Sequence, residues 1–173
     1  QADIYFFNST GIFINSEDTV KGSVNEGGLR VPTIATWPNK IKSGTQSNHP
    51  SIFYDYFATV CDILEVEPPY KIDGLSYYPT LTEKPQKAHD YLYWEFAGYN
   101  GQQAIRIGSW KGYKKNLNIE NVDLQLYDLS KDPKELNDLA AEYPKIVKKM
   151  KNFMDQAHTT PAIKRFIIPV LEK

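Results

Sequence analysis

Between Lys21 and Pro32 the chain reads KGSVNEGGLRVP, bringing a lysine, a glutamate, a pair of adjacent glycines and an arginine within a few residues of one another. A glycine pair lets the backbone take positive φ or approach another group closely. The stretch therefore reads either as a tight turn ahead of a buried strand or as a loop that presents a cation to an anion. Lys21 suits the second task as a compact point charge with three donors. It is not a phosphate-binding P-loop, because no Gly-Lys-Ser/Thr closes it and no strong helix pattern follows.

Other chemistry is sparse. His49, His89 and His158 stand far apart, without the one-turn spacing of a zinc site, and read as surface or hydrogen-bonding histidines. No G-x-S-x-G elbow supplies a hydrolase nucleophile, and the carboxylates are scattered with no acid and base pair of the glycosidase type. The lone cysteine, Cys61, cannot close an internal disulfide; inside IFYDYFATVCDIL it reads as a small packed hydrophobe.

The elements that must position these residues fall into two stretches. DIYFF near the start has the consecutive apolar character of a strand covered on both faces, and VPTIATW reads as a second strand. From Ile52 onward, Ile52, Phe53, Tyr56, Phe57, Val60, Ile63 and Leu64 recur at helical spacing, which predicts an amphipathic helix ended by Pro68 and Pro69. Beyond TEKPQKAH the pattern shortens. YLYWEFAG, QQAIRIGSW, KGYKKN and DLQLYDL follow one another at hairpin spacing, which predicts an antiparallel sheet. In SKDPKELNDLA, Asp132 can cap a helix with Pro133 at its first position and Glu135 as the capping-box partner. A last helix should bury Ile146, Val147, Met150, Phe153 and Met154 on one stripe. The expected class is α+β: part of an α/β layer over 1–80, then a small antiparallel sheet with a packed terminal helix over 81–173.

A net charge of −1 gives no basic footprint for nucleic acid, and no apolar run approaches the roughly 20 residues of a membrane span. The first residue is Gln1 rather than Met, so the chain is expected either to begin inside something longer or to have been processed.

Six phrases in the same order carry a family likeness. KGSVNEGGLRVPTIATWP resembles the K-G-x-x-x-E-G-G-x-R-V-P segment of arylsulfatase-like sulfatases, in the alkaline-phosphatase superfamily. The likeness continues through DYFATVCDILEV, IDGLSYYPTL, YLYWEF, QQAIRIGSWKGY and LYDLSKDPKELNDLA. It implies the C-terminal portion of a sulfuric ester hydrolase, in which Lys21 is catalytic by reaching the sulfate group. Glu26, Gly27, Gly28 and Arg30 would support its loop, and His49, Glu95 and Arg106 would face the substrate. The E-G-G-x-R-V-P phrase favours sulfatases over the phosphatases and phosphodiesterases of the superfamily.

The likeness also marks departures. The family's nucleophile is a formylglycine made in a C/S-x-P-x-R motif, and no such motif occurs in this sequence. Ser9 and Thr10 stand where the family's calcium-binding Asp and Asn are expected, so no metal ligand is expected in this chain; hydroxyls are poorer ligands than carboxylates for a hard cation. Ala97 replaces a histidine that many relatives carry. The implied partners are an N-terminal sulfatase portion and, in the full enzyme, a sulfated carbohydrate or aryl sulfate. The implied location is periplasmic or secreted, and a bare strand at Ile4–Phe7 is expected to favour self-association. The alternative is a catalytically inactive sulfatase-derived module for binding or structural support.

Overall fold

The computed structural model describes residues 11–13, 19–119 and 122–172. The expected first strand, including Ile4–Phe7, and the Ser9 and Thr10 positions lie outside the described residues. The chain divides into two compact units, one formed by residues up to Val31 together with Tyr91 onward, the other by Pro32–Asp90.

The first unit is built on four antiparallel strands, β1 (Leu92–Phe96), β2 (Gln102–Ile107), β3 (Trp110–Lys115) and β4 (Gln125–Asp128), arranged in chain order. The four phrases expected to form the antiparallel sheet do so. Ile107 pairs with Trp110 across a two-residue turn with Gly108 at φ +59, the left-handed conformation that tight hairpins need. The register puts Ile105 opposite both Tyr93 and Gly112, and Ala104 opposite both Trp94 and Tyr113, so alternate residues line opposite faces.

Each face has its own cover. Ile105 and Leu126 join Leu124, Met150 and Met154 in one buried cluster, with the methionines supplied by the long helix Pro144–Ala157. A Cβ on Gly112 would stand 2.8 Å from Leu124 Cδ2 and 2.9 Å from Met150 Sδ, so glycine gives the helix room against the sheet. The expected stripe faces inward, with Ile146, Val147 and Phe153 partly buried around the methionines. On the opposite face, Ala104, Tyr113 and Tyr127 pack with Val24, Leu29 and Trp94. The segment that begins at Lys21 thus covers the second face of the sheet.

The second unit contains helices at Asp55–Ile63 and Tyr78–Leu81. Asp55 is its hub: Oδ2 accepts the Ile52 amide at 2.9 Å, while Oδ1 accepts the Leu75 amide and contacts His89 Nε2, each at 2.8 Å.

Three expectations change. VPTIATW forms no strand, because no described segment runs beside it to take its backbone bonds, and Ile34 is 95% exposed. The Ile52–Leu64 helix is shorter than its pattern and turns Asp55, Ala58, Thr59 and Cys61 inward, leaving Phe53, Tyr56, Phe57 and Leu64 exposed. SKDPKELNDLA forms turns instead of a helix. Asp132 Oδ2 accepts the Leu136 and Asn137 amides at 2.8 Å, and Glu135 leaves the capping role with φ +57. A buried lysine on the sheet takes its carboxylate instead.

Candidate functional site

Lys21 is exposed, and the four residues from Ser23 to Glu26 are buried. Gly22 makes the bend between them at φ +84. A Cβ there would stand 2.4 Å from the Tyr99 ring, so a side chain would meet both steric and backbone strain. The adjacent glycines serve the other purpose open to them. Gly27 and Gly28 lie in a single helical turn, Glu26–Leu29. A Cβ on Gly28 would come within 2.2 Å of the Ser23 carbonyl oxygen and 2.6 Å of that of Val20. Close backbone approach, and not positive φ, is what the pair provides.

Two hooks fasten this turn to the sheet. Gln102 on β2 donates from Nε2 to the Gly22 carbonyl at 2.8 Å and accepts the Val24 amide on Oε1 at 3.2 Å. Glu135 Oε2 accepts the Glu26 amide at 2.8 Å and the Asn25 side-chain amide at 3.0 Å. Behind them, Lys111 is wholly buried, with Nζ 2.8 Å from Glu26 Oε1 and 2.9 Å from Glu135 Oε1. Arg30 and Arg106 approach Glu26 Oε2 at 3.5 and 3.8 Å, and Arg30 also lies over the Phe13 ring at 4.3 Å. The buried Lys111 ammonium thus sits between two buried carboxylates, and the more exposed Arg30 and Arg106 add positive charge beside Glu26.

The other candidates are dispersed. Arg106 lies on the same face of the sheet as the turn, donating from Nε to the Gly108 carbonyl at 2.9 Å. Glu95 lies on the opposite face, where Oε1 meets His158 Nδ1 at 2.7 Å and accepts the Tyr93 hydroxyl. Burial, above all, holds Tyr93 well above the usual tyrosine range. His49 is in the second unit, where burial outweighs the pull of Asp55 and lowers its pKa.

Sequence reasoning missed Gln102, Lys111 and Glu135. Strand alternation places Lys111 with Tyr113 on one face, but their inward direction is fixed only once the sheet has a cover on each side. Among the described residues, no group of three or more His, Cys, Asp or Glu could hold a metal ion. Cys61 is buried in its helix without the modification motif. The described residues therefore do not fit a calcium ion or a formylglycine.

Residues 20–160 match the family model described as N-sulphoglucosamine sulphohydrolase, C-terminal. The chain belongs to the sulfatase family. It is 28% identical over 156 residues to arylsulfatase K of Danio rerio, covering 85% of this chain and 29% of that protein. An N-acetylgalactosamine-6-O-sulfatase of Bacteroides thetaiotaomicron is 29% identical over 154 residues, 80% of this chain and 29% of the relative. A solved structure from work on the metabolism of multiple glycosaminoglycans by Bacteroides thetaiotaomicron is 25% identical and covers 90% of this chain and 35% of its own, with TM-score 0.66. Another, in complex with its substrate D-glucosamine-2-N,6-O-disulfate, is 27% identical and covers 69% and 26%, with TM-score 0.59. The chain spans about 29% of the curated relatives named here and corresponds to the C-terminal part of the family.

Proposed function

We propose that this sulfatase-family chain contributes Lys21 to a sulfuric ester hydrolase as the cation that meets the sulfate group. The observation that carries the reading is the contrast along the turn: Lys21 is exposed while Ser23–Glu26 behind it are buried. The backbone that carries such a lysine is fixed from Gly22 onward before substrate arrives. Its ammonium can offset charge on sulfate oxygens at little reorganisation cost, the condition under which fixed charges stabilise a transition state. Arg106 would stand on the same side of the sheet and support Glu26. Glu95 would fix the end of the terminal helix through His158, and His49 would contribute from the second unit.

The substrate class follows from two relatives. One is named for 6-O-sulfated N-acetylgalactosamine, and one was solved with a disulfated glucosamine. A sulfated carbohydrate is therefore the proposed substrate of the whole protein. The nucleophile and metal would come from an N-terminal portion, since the described residues offer neither. The same lack favours a second reading, a module that binds or supports without turnover.

Two measurements separate these readings. The chain alone, given an aryl sulfate and calcium, is expected to show no turnover above a Lys21→Ala control. Supplied with an N-terminal sulfatase portion, it should become active, and Lys21→Ala should then lower kcat/KM by about 10²–10³. An unchanged kcat/KM would remove Lys21 from the site, and a pair that stays inactive would favour the module.

A further inference from the structure

We propose that Glu135 is the positioning residue for Lys21, holding the far end of its turn to the sheet through one carboxylate. The inference rests on the reading of Lys21 given above. Glu135 is 3% exposed, and its two oxygens do different work. Oε2 takes the Glu26 amide and the Asn25 side chain, 109 and 110 residues earlier in the chain. Oε1 faces the Lys111 ammonium, whose other partner is the Glu26 carboxylate. Glu26 is thereby gripped at its backbone by Glu135 and at its side chain by Lys111. Gln102 holds Gly22 and Val24 at the near end. With both ends fixed, Lys21 is left at the outer side of a turn that cannot slide along the sheet.

The backbone of Glu135 supports a specific role. It sits at φ +57, a conformation that is unfavourable for a residue with a Cβ, although its sequence offered a capping-box place in a helix. Glu65 and Glu83 take a similar φ at exposed turns, whereas Glu135 does so while buried, where surrounding contacts help to fix it. Here the contacts that do so belong to the turn and to Lys111. A carboxylate that served only the sheet would have no need to reach Asn25 and Glu26.

The experiment uses the whole chain and compares wild type, Glu135→Gln and Glu135→Ala by amide exchange, amide NMR and timed trypsin digestion. Glu135→Ala is expected to speed exchange at Val24–Arg30 by at least about tenfold and to raise cleavage after Lys21 similarly, while Ile105 and Leu126 keep their protection. The Glu26 amide proton should move upfield as its charged acceptor is lost. Glu135→Gln keeps an acceptor oxygen and should recover part of the order. If Glu135→Ala does not fold, Glu135→Gln and Asn25→Ala carry the same comparison. Unchanged exchange at Val24–Arg30, or an equal rise at the sheet amides, would overturn the proposal. No sulfate ester enters these readouts, so an idle Lys21 would defeat the functional reading and leave this result standing.

Discussion

At the scale of single residues, the turn is held by groups whose worth depends on their partners. Removing the cation from a buried ion cluster leaves uncompensated charge and costs about 3–5 kcal/mol. Lys111→Met should show that loss in urea denaturation, because Glu26 and Glu135 would then face each other. Lys111→Met combined with Glu135→Gln should be more stable than Lys111→Met alone; a double variant no better than the single would mean that the two carboxylates do not feel each other. Gly28→Ala sets a new Cβ against two backbone carbonyls and should cost about 1–3 kcal/mol or more as overpacking, read as a lowered Tm. A different residue gives the pH dependence. Donation from the Ser130 hydroxyl, foremost among several contacts, holds the Asp128 carboxyl below its ordinary 3.8. A depressed folded value stabilises the fold fully above 3.8, and the gain is lost as pH falls through the folded value. Wild type and Ser130→Ala should therefore differ in urea midpoint near about pH 6 and converge toward about pH 2; a constant gap would assign the effect to packing.

Among the elements, periodicity was informative where the elements bury one another. The four strands and the Pro144–Ala157 helix follow their patterns because the sheet, the helix and the Lys21 turn bury one another. Met150 is fully buried whereas Phe153 is only partly so, its ring 5.0 Å from that of Tyr91. Met150→Ala should accordingly cost about 2–5 kcal/mol, and Phe153→Ala less than Met150→Ala in the same melt. The reverse order would mean that the helix is rotated toward its aromatic edge. Patterns misled where tertiary demands overrode them: Glu135 fits a capping box, yet Lys111 and the Glu26 amide draw it elsewhere. The Ile52–Leu64 stripe has the right spacing for a buried helix face, but spacing does not say whether a cover exists. For the site, Lys21 and its glycines were legible as a motif. Gln102 and Glu135 were not, because they lie about 80 and 110 residues away from the turn they fasten, and no local pattern encodes such a pairing.

For the molecule as a whole, the apolar side chains left open on its second unit decide how the chain should behave on its own. The first unit has a sheet sheltered on both faces. The second leaves Ile34 95%, Phe53 91% and Tyr70 68% exposed, with Tyr56, Phe57 and Leu64 also open. Soluble monomers seldom present large contiguous apolar patches, and those that do commonly bind something there. The curated relatives named above extend well beyond the part that matches this chain, which covers about 29% of each; we expect the rest of such a protein to cover these side chains. Alone, the chain should bind an apolar dye and associate in a concentration-dependent way through the second unit. Phe53→Lys should weaken both effects without lowering the exchange protection of Ile105 or Leu126 in the first unit. An N-terminal sulfatase portion, if it covers the same face, should suppress dye binding by wild type and make Phe53→Lys assemble less well. Sedimentation velocity across a hundredfold concentration range, about 1–100 µM, would read the association directly. A wild-type chain that stays monomeric throughout and binds no dye would mean that this surface is covered within the chain itself, and the expected docking of an N-terminal portion on Phe53 would fall with it.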